Sequence, residues 1–169
     1  MKTRYIIVCL WAALATPLAY AQQQTSAVVL SQGETVVAAS AGKLAVQVRI
    51  KTHEVSIGKP SDPRPALIDS NCTYSRYPCS IVDRLDILVN GARLFVPRSA
   101  FCDLADVNKA EVKVGEKGAF LRLEGGDGAE AFIVKVEFDK TRVKRRTVAA
   151  GESADQLLQE TNYHAVVFD

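Results

Sequence analysis

The chain has 169 residues, of which 21 are basic and 19 acidic, and its formal net charge is +2. This length suffices for a short leader and one domain with a hydrophobic core. The charge excess matches the two basic residues at the extreme N-terminus, so it gives no support for nucleic-acid binding.

Residues 1–21 have the pattern of a cleavable secretory signal peptide. A short basic start is followed by an apolar run at 5–14 and by the small-x-small sequence Ala19-Tyr20-Ala21. The apolar run is shorter than the roughly 20 residues that a membrane-spanning helix needs. We therefore expect cleavage after Ala21 and a soluble periplasmic or secreted product without a transmembrane anchor. An uncleaved anchor is the alternative.

Cleavage changes the composition of the working protein. Removing Lys2 and Arg4 from the 21 basic residues leaves 19, equal to the 19 acidic residues, so the mature chain is formally neutral. Trp11, the one tryptophan, also leaves, and with it the most common platform for stacking sugars.

The mature region, 22–169, is dominated by strand patterns. Short strands are predicted at 27–30 and 35–38, and residues 44–51 alternate between apolar and polar as in a half-buried strand. The stretch 58–78 is rich in proline and turn-forming residues, which predicts a long loop within one domain.

Three consecutive hairpins are predicted after this loop. Asn90-Gly91 favours a two-residue turn and would pair Val89 with Ala92 within 85–96. A second hairpin spans 110–123, and a third joins 131–138 to 142–148.

The remaining elements are short, and together with the hairpins they predict the fold class. Short helices are predicted at 99–107 and 153–159, and a last strand at 163–168. The predicted fold is mainly β: a single antiparallel β-sandwich or small barrel built from consecutive hairpins, with one or two short helices.

Cysteine positions suggest a disulfide in the long loop. Cys72 and Cys79 flank a polar, turn-rich stretch, and cysteines tend to pair in an oxidising compartment. Three reduced thiols, or Cys102 bonded to either partner, are the alternatives, because connectivity cannot be deduced from sequence. The spacing does not match a zinc site, and we predict no metal and no cofactor.

The loop between these cysteines carries the first candidate binding residues, Tyr74, Arg76 and Tyr77. Tyrosine and arginine are enriched at binding hot spots, and a bridged loop would be ordered before binding. The alternative is that the tyrosines cover an open end of the sheet.

A second candidate is the basic segment at 140–146. On a regular strand, Arg142, Lys144 and Arg146 share one face, beside Lys135 of the neighbouring strand. This face could bind an acidic protein partner or anionic wall or lipid material. The alternative is a solvated face, or an edge strand that charge keeps from aggregating. The segment contains no aromatic residue, so single-stranded nucleic acid is not supported.

Other motifs give weaker signals for chemistry. Cys102 with His164, or His53 beside Glu54, could provide a nucleophile or a base, but no complete catalytic motif accompanies them. We interpret both histidines as residues on wet strand faces.

The glycine-rich segment 125–128, with Glu130, could also be a phosphate or calcium loop. It lacks the strand-to-helix context that a phosphate loop needs and has few carboxylates for calcium. A connection between strands is the preferred interpretation.

The leading functional hypothesis is a non-enzymatic exported protein that binds another protein, of the inhibitor, immunity or accessory type. The alternatives are a small thiol-dependent enzyme or redox protein using Cys102, and an envelope-associated structural protein held by the basic face. The pattern specifies neither the partner nor the oligomeric state.

Overall fold

The computed structural model describes residues 25–63, 72–116, 118–151 and 153–165. The predicted signal peptide and residues 166–168 of the predicted last strand lie outside these ranges, and residues 163–165 of that prediction do not form a strand. Strands make up 59% of the described residues and helical turns 5%, so the mainly-β prediction is confirmed. The strands form two antiparallel sheets, as in a sandwich, and in the described part of the chain neither sheet closes into a barrel.

Ten strands form the two sheets. The six-stranded sheet has the order β1-β6-β7-β8-β9-β10, and the four-stranded sheet has the order β2-β3-β4-β5. The strands are β1 Ser26–Val28, β2 Gly33–Ala41, β3 Leu44–Val55, β4 Cys79–Val89, β5 Ala92–Arg93, β6 Val107–Val114, β7 Ala119–Gly125, β8 Phe132–Phe138, β9 Val143–Ala150 and β10 Ser153–Asn162.

Alternating side chains build the core between the sheets. Along β3 every second residue from Leu44 to Ile50 is buried, because successive side chains of a strand point to opposite faces. Burial of each large aliphatic side chain contributes about 1.5–3 kcal/mol. The fully buried members from both sheets are Val37, Val48, Ile50, Ile87, Val112, Leu121, Leu123, Val134 and Val136.

Two of the predicted hairpins have the predicted register. Val89 pairs with Ala92 across a turn in which Asn90 and Gly91 have φ of 51° and 81°, as that turn type requires. In the second hairpin Val114 pairs with Ala119. Local turn chemistry and the apolar pattern specify the same register, so both registers are confirmed. The second strand of the first hairpin is shorter than predicted, because β5 ends at Arg93 and does not reach Val96.

The third hairpin, β8–β9, forms as predicted but contains a bulge. Phe138 pairs with Val143, and Glu137 pairs with Arg145, so Lys144 is an extra residue in β9. A bulge of one residue changes which side chains of the strand point inward. This irregularity alters the predicted basic face, as described below.

The turn of this hairpin is held by Asp139. Its Oδ1 accepts hydrogen bonds from Thr141 N and Oγ1, both at 2.7 Å, and from Arg142 N at 3.0 Å, and its Oδ2 lies 3.0 Å from Lys144 Nζ. Partial burial alone would raise the pKa of Asp139. The hydrogen bonds and the ammonium of Lys144 outweigh burial, and they hold that pKa well below its ordinary value of 3.8.

Acid is expected to destabilise the domain in part through Asp139. Because the pKa of this carboxyl is lower in the folded than in the unfolded chain, its contribution is present above about pH 4 and is lost as pH falls below that value. The free energy of unfolding, measured by urea denaturation from pH 7 to pH 3, should fall more steeply for the wild type than for Asp139→Asn. Parallel curves would contradict this assignment.

The helix predictions were only partly correct. The segment 99–107 contains one 3-10 turn, Arg98–Ala100, before β6 begins. The prediction of a helix at 153–159 was wrong, since Ser153–Asn162 is strand β10. Its residues tolerate a helix, but pairing with β9 provides its backbone with hydrogen bonds and overrides local preference. Within the described ranges, the helical segments are single turns, and none has the length and apolar character to cross a membrane.

Candidate functional site

The loop before β4 is closed by a disulfide. Cys72 and Cys79 are bonded, with their Cα atoms 5.6 Å apart, and Cys102 is an exposed free thiol. Cys79 is the first residue of β4 and is fully buried, so one end of the loop is anchored in the sheet. We call residues 72–79 the disulfide loop.

Asp106 holds the disulfide loop in place through buried hydrogen bonds. Its Oδ2 accepts a hydrogen bond from Thr73 N at 2.7 Å, and its Oδ1 accepts one from Ser80 N at 2.9 Å. Its own N–H donates to Ser80 O at 2.6 Å, and its φ is +50°. Asp106 is only 1% exposed, so these bonds lie in the protein interior, where an unmet polar group is costly. No local sequence pattern marks Asp106 as a residue of the site.

The glycine-rich segment docks against the disulfide loop. Tyr74 N donates to Glu130 Oε2 and Ser75 Oγ donates to Asp127 Oδ2, both at 2.6 Å. Arg76 Nε lies 4.0 Å from the same Asp127 oxygen. The two carboxylates that suggested a calcium loop therefore bind the disulfide loop.

The described residues provide no alternative metal site there. Their one group with suitable geometry is Cys72, Cys79 and Asp106, in which both sulfurs belong to the disulfide.

The three candidate residues of the disulfide loop occupy different environments. Tyr74 is 65% exposed, and Arg76 is partly exposed. Tyr77 instead packs against a small cluster of Ile57, Cys79 and Ala105. The structure thus brings Tyr74 and Arg76 to the surface and gives Tyr77 a packing role.

The predicted basic face does not exist as a set of three exposed cations. Arg146 pairs with Val136 and is 1% exposed, so its expected exposure was wrong. The physical reason is the bulge at Lys144, which breaks the alternation that would have placed Arg142, Lys144 and Arg146 together. Arg142 Nη1 donates to Tyr163 O at 3.4 Å, and Lys144 pairs with Asp139.

Acidic neighbours neutralise the cations on the outer side of the same sheet. Arg145 Nη2 and Lys135 Nζ lie 2.8 and 2.7 Å from Glu137 Oε1. The hydrogen bond from Arg145 lowers the pKa of Glu137 most; burial opposes this effect, and Lys135 adds to it. Exposed pairs of this kind contribute little stability, but they leave a mixed surface rather than a basic patch.

The buried guanidinium of Arg146 forms a small polar network. Its Nη2 donates to both carboxylate oxygens of Asp103, at 2.8 and 2.7 Å, and its Nη1 donates to Gln159 Oε1 at 2.9 Å. Among the described residues, Arg146 Nε has no hydrogen-bond partner. The network joins the segment before β6, strand β9 and strand β10.

A cavity of about 590 Å³ lies beside this network. Among the described residues, its walls come from the six-stranded sheet and from the segments before β6 and β8, with none from β2–β5. The apolar lining includes Leu104, Phe132, Val148 and Leu158, and the polar lining includes Asp103, Glu130, Arg146, Gln156 and Gln159. This volume lies in the range of known ligand pockets. No sequence pattern predicts this cavity, because its walls come from separate parts of the chain.

The candidate catalytic residues are not brought together. His53 Nδ1 lies 2.6 Å from Asp83 Oδ1, and Glu54 accepts a hydrogen bond from Ser31 Oγ. Cys102 and His164 are both exposed, and the described part of the chain contains no hydrogen bond between them. The predicted thiol chemistry therefore lacks a positioned base in these residues.

Comparison with protein-family models, curated proteins and solved structures gives no match. The features of this chain that bear on its function are the disulfide loop, the buried arginine and the cavity.

Proposed function

We propose that the mature chain is an exported, non-enzymatic protein that binds another protein through Tyr74 and Arg76 of the disulfide loop. The proposal rests on one observation. The disulfide loop is held in place by contacts on several sides, and its Tyr74 is 65% exposed. The disulfide, Asp106 and the glycine-rich segment hold the loop backbone. A role of this chain as an inhibitor, an immunity protein or an accessory or chaperone protein fits this architecture.

Rigidity is what makes this loop suitable for recognition. Binding costs less when the contacting segment is already ordered, because less conformational entropy is lost. Tyrosine offers a large amphipathic contact area, and arginine offers several hydrogen-bond donors, which explains their enrichment at hot spots. Tyr77 supports the loop from inside, so it is not counted among the contacting residues.

Export is supported by independent features of the chain. The pattern of residues 1–21 is that of a signal peptide. The Cys72–Cys79 disulfide suits an oxidising compartment outside the cytosol.

The proposal predicts that a photo-crosslinking amino acid at position 74 captures a partner in the host's envelope extract. The matched control places the same amino acid at Phe95, which is 82% exposed on a different segment. Capture should occur from position 74 and not from position 95.

A second measurement tests the side chains themselves. In a pull-down, Tyr74→Ala/Arg76→Ala should lose the captured protein, whereas Phe95→Ala/Arg98→Ala, which removes an exposed aromatic and an exposed arginine elsewhere, should retain it. Equal capture by both double variants would exclude this surface as the binding site.

A further inference from the structure

Strand β10 is, with β1, one of the two edge strands of the six-stranded sheet in the described residues. One of its backbone edges pairs with β9, and no described strand pairs with the other edge. Proteins usually protect such edges with charged side chains, proline, β-bulges or a very short strand. β10 is ten residues long and contains neither lysine nor proline, although its pairing with β9 has two irregularities.

The middle of this edge strand is apolar and exposed. Leu157 is 53% exposed and Leu158 is 60% exposed. An added strand would cover these side chains while its backbone paired with the outer edge of β10.

The cavity lies directly beside the strand. Gln156, Leu158 and Gln159 of β10 form one wall, and Phe132 and Val148 lie among the apolar lining. Because alternate side chains of a strand point to one face, a strand added to β10 can direct a side chain towards this cavity. Backbone pairing would provide affinity, and the cavity would provide selectivity.

Charge indicates which segment fits. β10 carries Asp155 and Glu160 and no basic residue. Glu130 and Asp103 line the cavity, and Arg146 is already paired with Asp103. Arg145 Nη1 also lies 3.8 Å from Glu160 Oε2, so Asp155 and Glu130 provide the remaining negative charge. This charge favours a partner segment with lysine or arginine around an apolar centre.

The same charges disfavour a second copy of this chain as the occupant. Antiparallel pairing of two β10 strands about the Leu157–Leu158 centre would set Asp155 of one copy opposite Glu160 of the other. Like charges directly opposite each other destabilise strand pairing.

We propose that β10 binds an extended, basic-flanked apolar segment of a partner protein as an additional strand, with one side chain of that segment in the cavity. This inference rests on the proposed protein-binding function and specifies a further contact and its chemistry. Glu130 lines the cavity and also holds Tyr74 N, so the new contact adjoins the disulfide loop.

The test uses the mature chain and synthetic peptides of about nine residues, a length typical of strands. The first peptide has a Val-Leu-Val centre flanked by alternating lysine and threonine. The second replaces every lysine with glutamate. The third is the basic peptide N-methylated on alternate residues, so that it cannot pair along one edge. Affinity is measured by calorimetry, and the protected amides are located by hydrogen exchange.

The basic peptide should bind at least about tenfold more tightly than either control, and it should slow exchange within Ser153–Asn162. Ala129→Trp, a change at an exposed position that lines the cavity, should weaken binding of the basic peptide. Equal binding of the N-methylated peptide, or protection located elsewhere, would overturn the proposal. So would a dimer of the mature chain with protected β10 amides before peptide is added.

Failure of the two proposals can be distinguished. If the peptides fail while position 74 still captures a partner by crosslinking, the edge-strand inference is wrong and the proposed function remains. If the basic peptide binds β10 while position 74 captures nothing, the disulfide-loop surface is wrong and the edge strand remains a binding site.

Discussion

Asp103→Ala is expected to lower the free energy of unfolding by about 3 kcal/mol, because it leaves the buried guanidinium of Arg146 without a carboxylate partner. The side chain of Arg146 is 2% exposed, whereas that of Asp103 is 36% exposed. Water can reach the space that the Asp103 side chain leaves and can solvate the guanidinium. The loss of stability should therefore lie at the lower end of the range for buried ion pairs that lose one partner. Urea denaturation at pH 7 measures the change.

A double-mutant cycle makes this prediction specific to the pair. Asp103→Ala/Arg146→Met removes both charges and keeps an apolar side chain in the interior, so it should be more stable than Asp103→Ala alone. Asp155→Ala removes an exposed carboxylate from β10 and should change stability by less than about 0.5 kcal/mol. Additive losses in the double variant would show that Asp103 and Arg146 do not interact energetically.

Asp106→Ala is expected to cost about 3 kcal/mol, because the N–H groups of Thr73 and Ser80 lose a buried acceptor and each such loss costs about 1–3 kcal/mol. The same change should loosen the disulfide loop. Hydrogen exchange should therefore accelerate at the Thr73 and Ser80 amides.

Two comparisons check the role of Asp106. Asp83→Ala removes a carboxylate that pairs with the half-exposed His53, and it should cost less than Asp106→Ala. In a Cys72→Ser/Cys79→Ser background the loop is already released, so Asp106→Ala should cost less there than in the wild type. Unchanged exchange at Thr73 and Ser80 would refute the bracing role.

Local patterns predicted much of the sheet structure, because hairpins depend on neighbours in sequence. The Asn90-Gly91 turn and the Val114–Ala119 pair lie within a few residues of their partners, so turn chemistry and alternation suffice to specify them. β10 was mistaken for a helix because its local composition allows one, and only pairing with β9 decides the outcome.

The site was less predictable because its contacts join distant residues. Asp106 binds Thr73 across 33 positions, and Asp103 binds Arg146 across 43 positions. No periodic pattern in the sequence predicts that such distant residues will be in contact. The cysteines of the disulfide loop could be identified as a candidate pair because they flank one short turn-rich stretch. The acidic residues that hold that loop lie in other segments and could not be identified in this way.

The extra residue at Lys144 determines which side chains of strand β9 point into the core. On its N-terminal side Val143 points into the core, and on its C-terminal side Arg146 does, so the inward positions are three apart instead of two. Loss of Lys144 would remove the extra residue and restore regular alternation, with Val143 and Arg146 still inward and Arg145 still outward. Loss or gain of one residue between Arg146 and Ala150 would instead exchange the inner and outer faces of the rest of the strand. A change of length within β9 should therefore be tolerated at the bulge, and elsewhere in the strand it should be confined to the turns on either side.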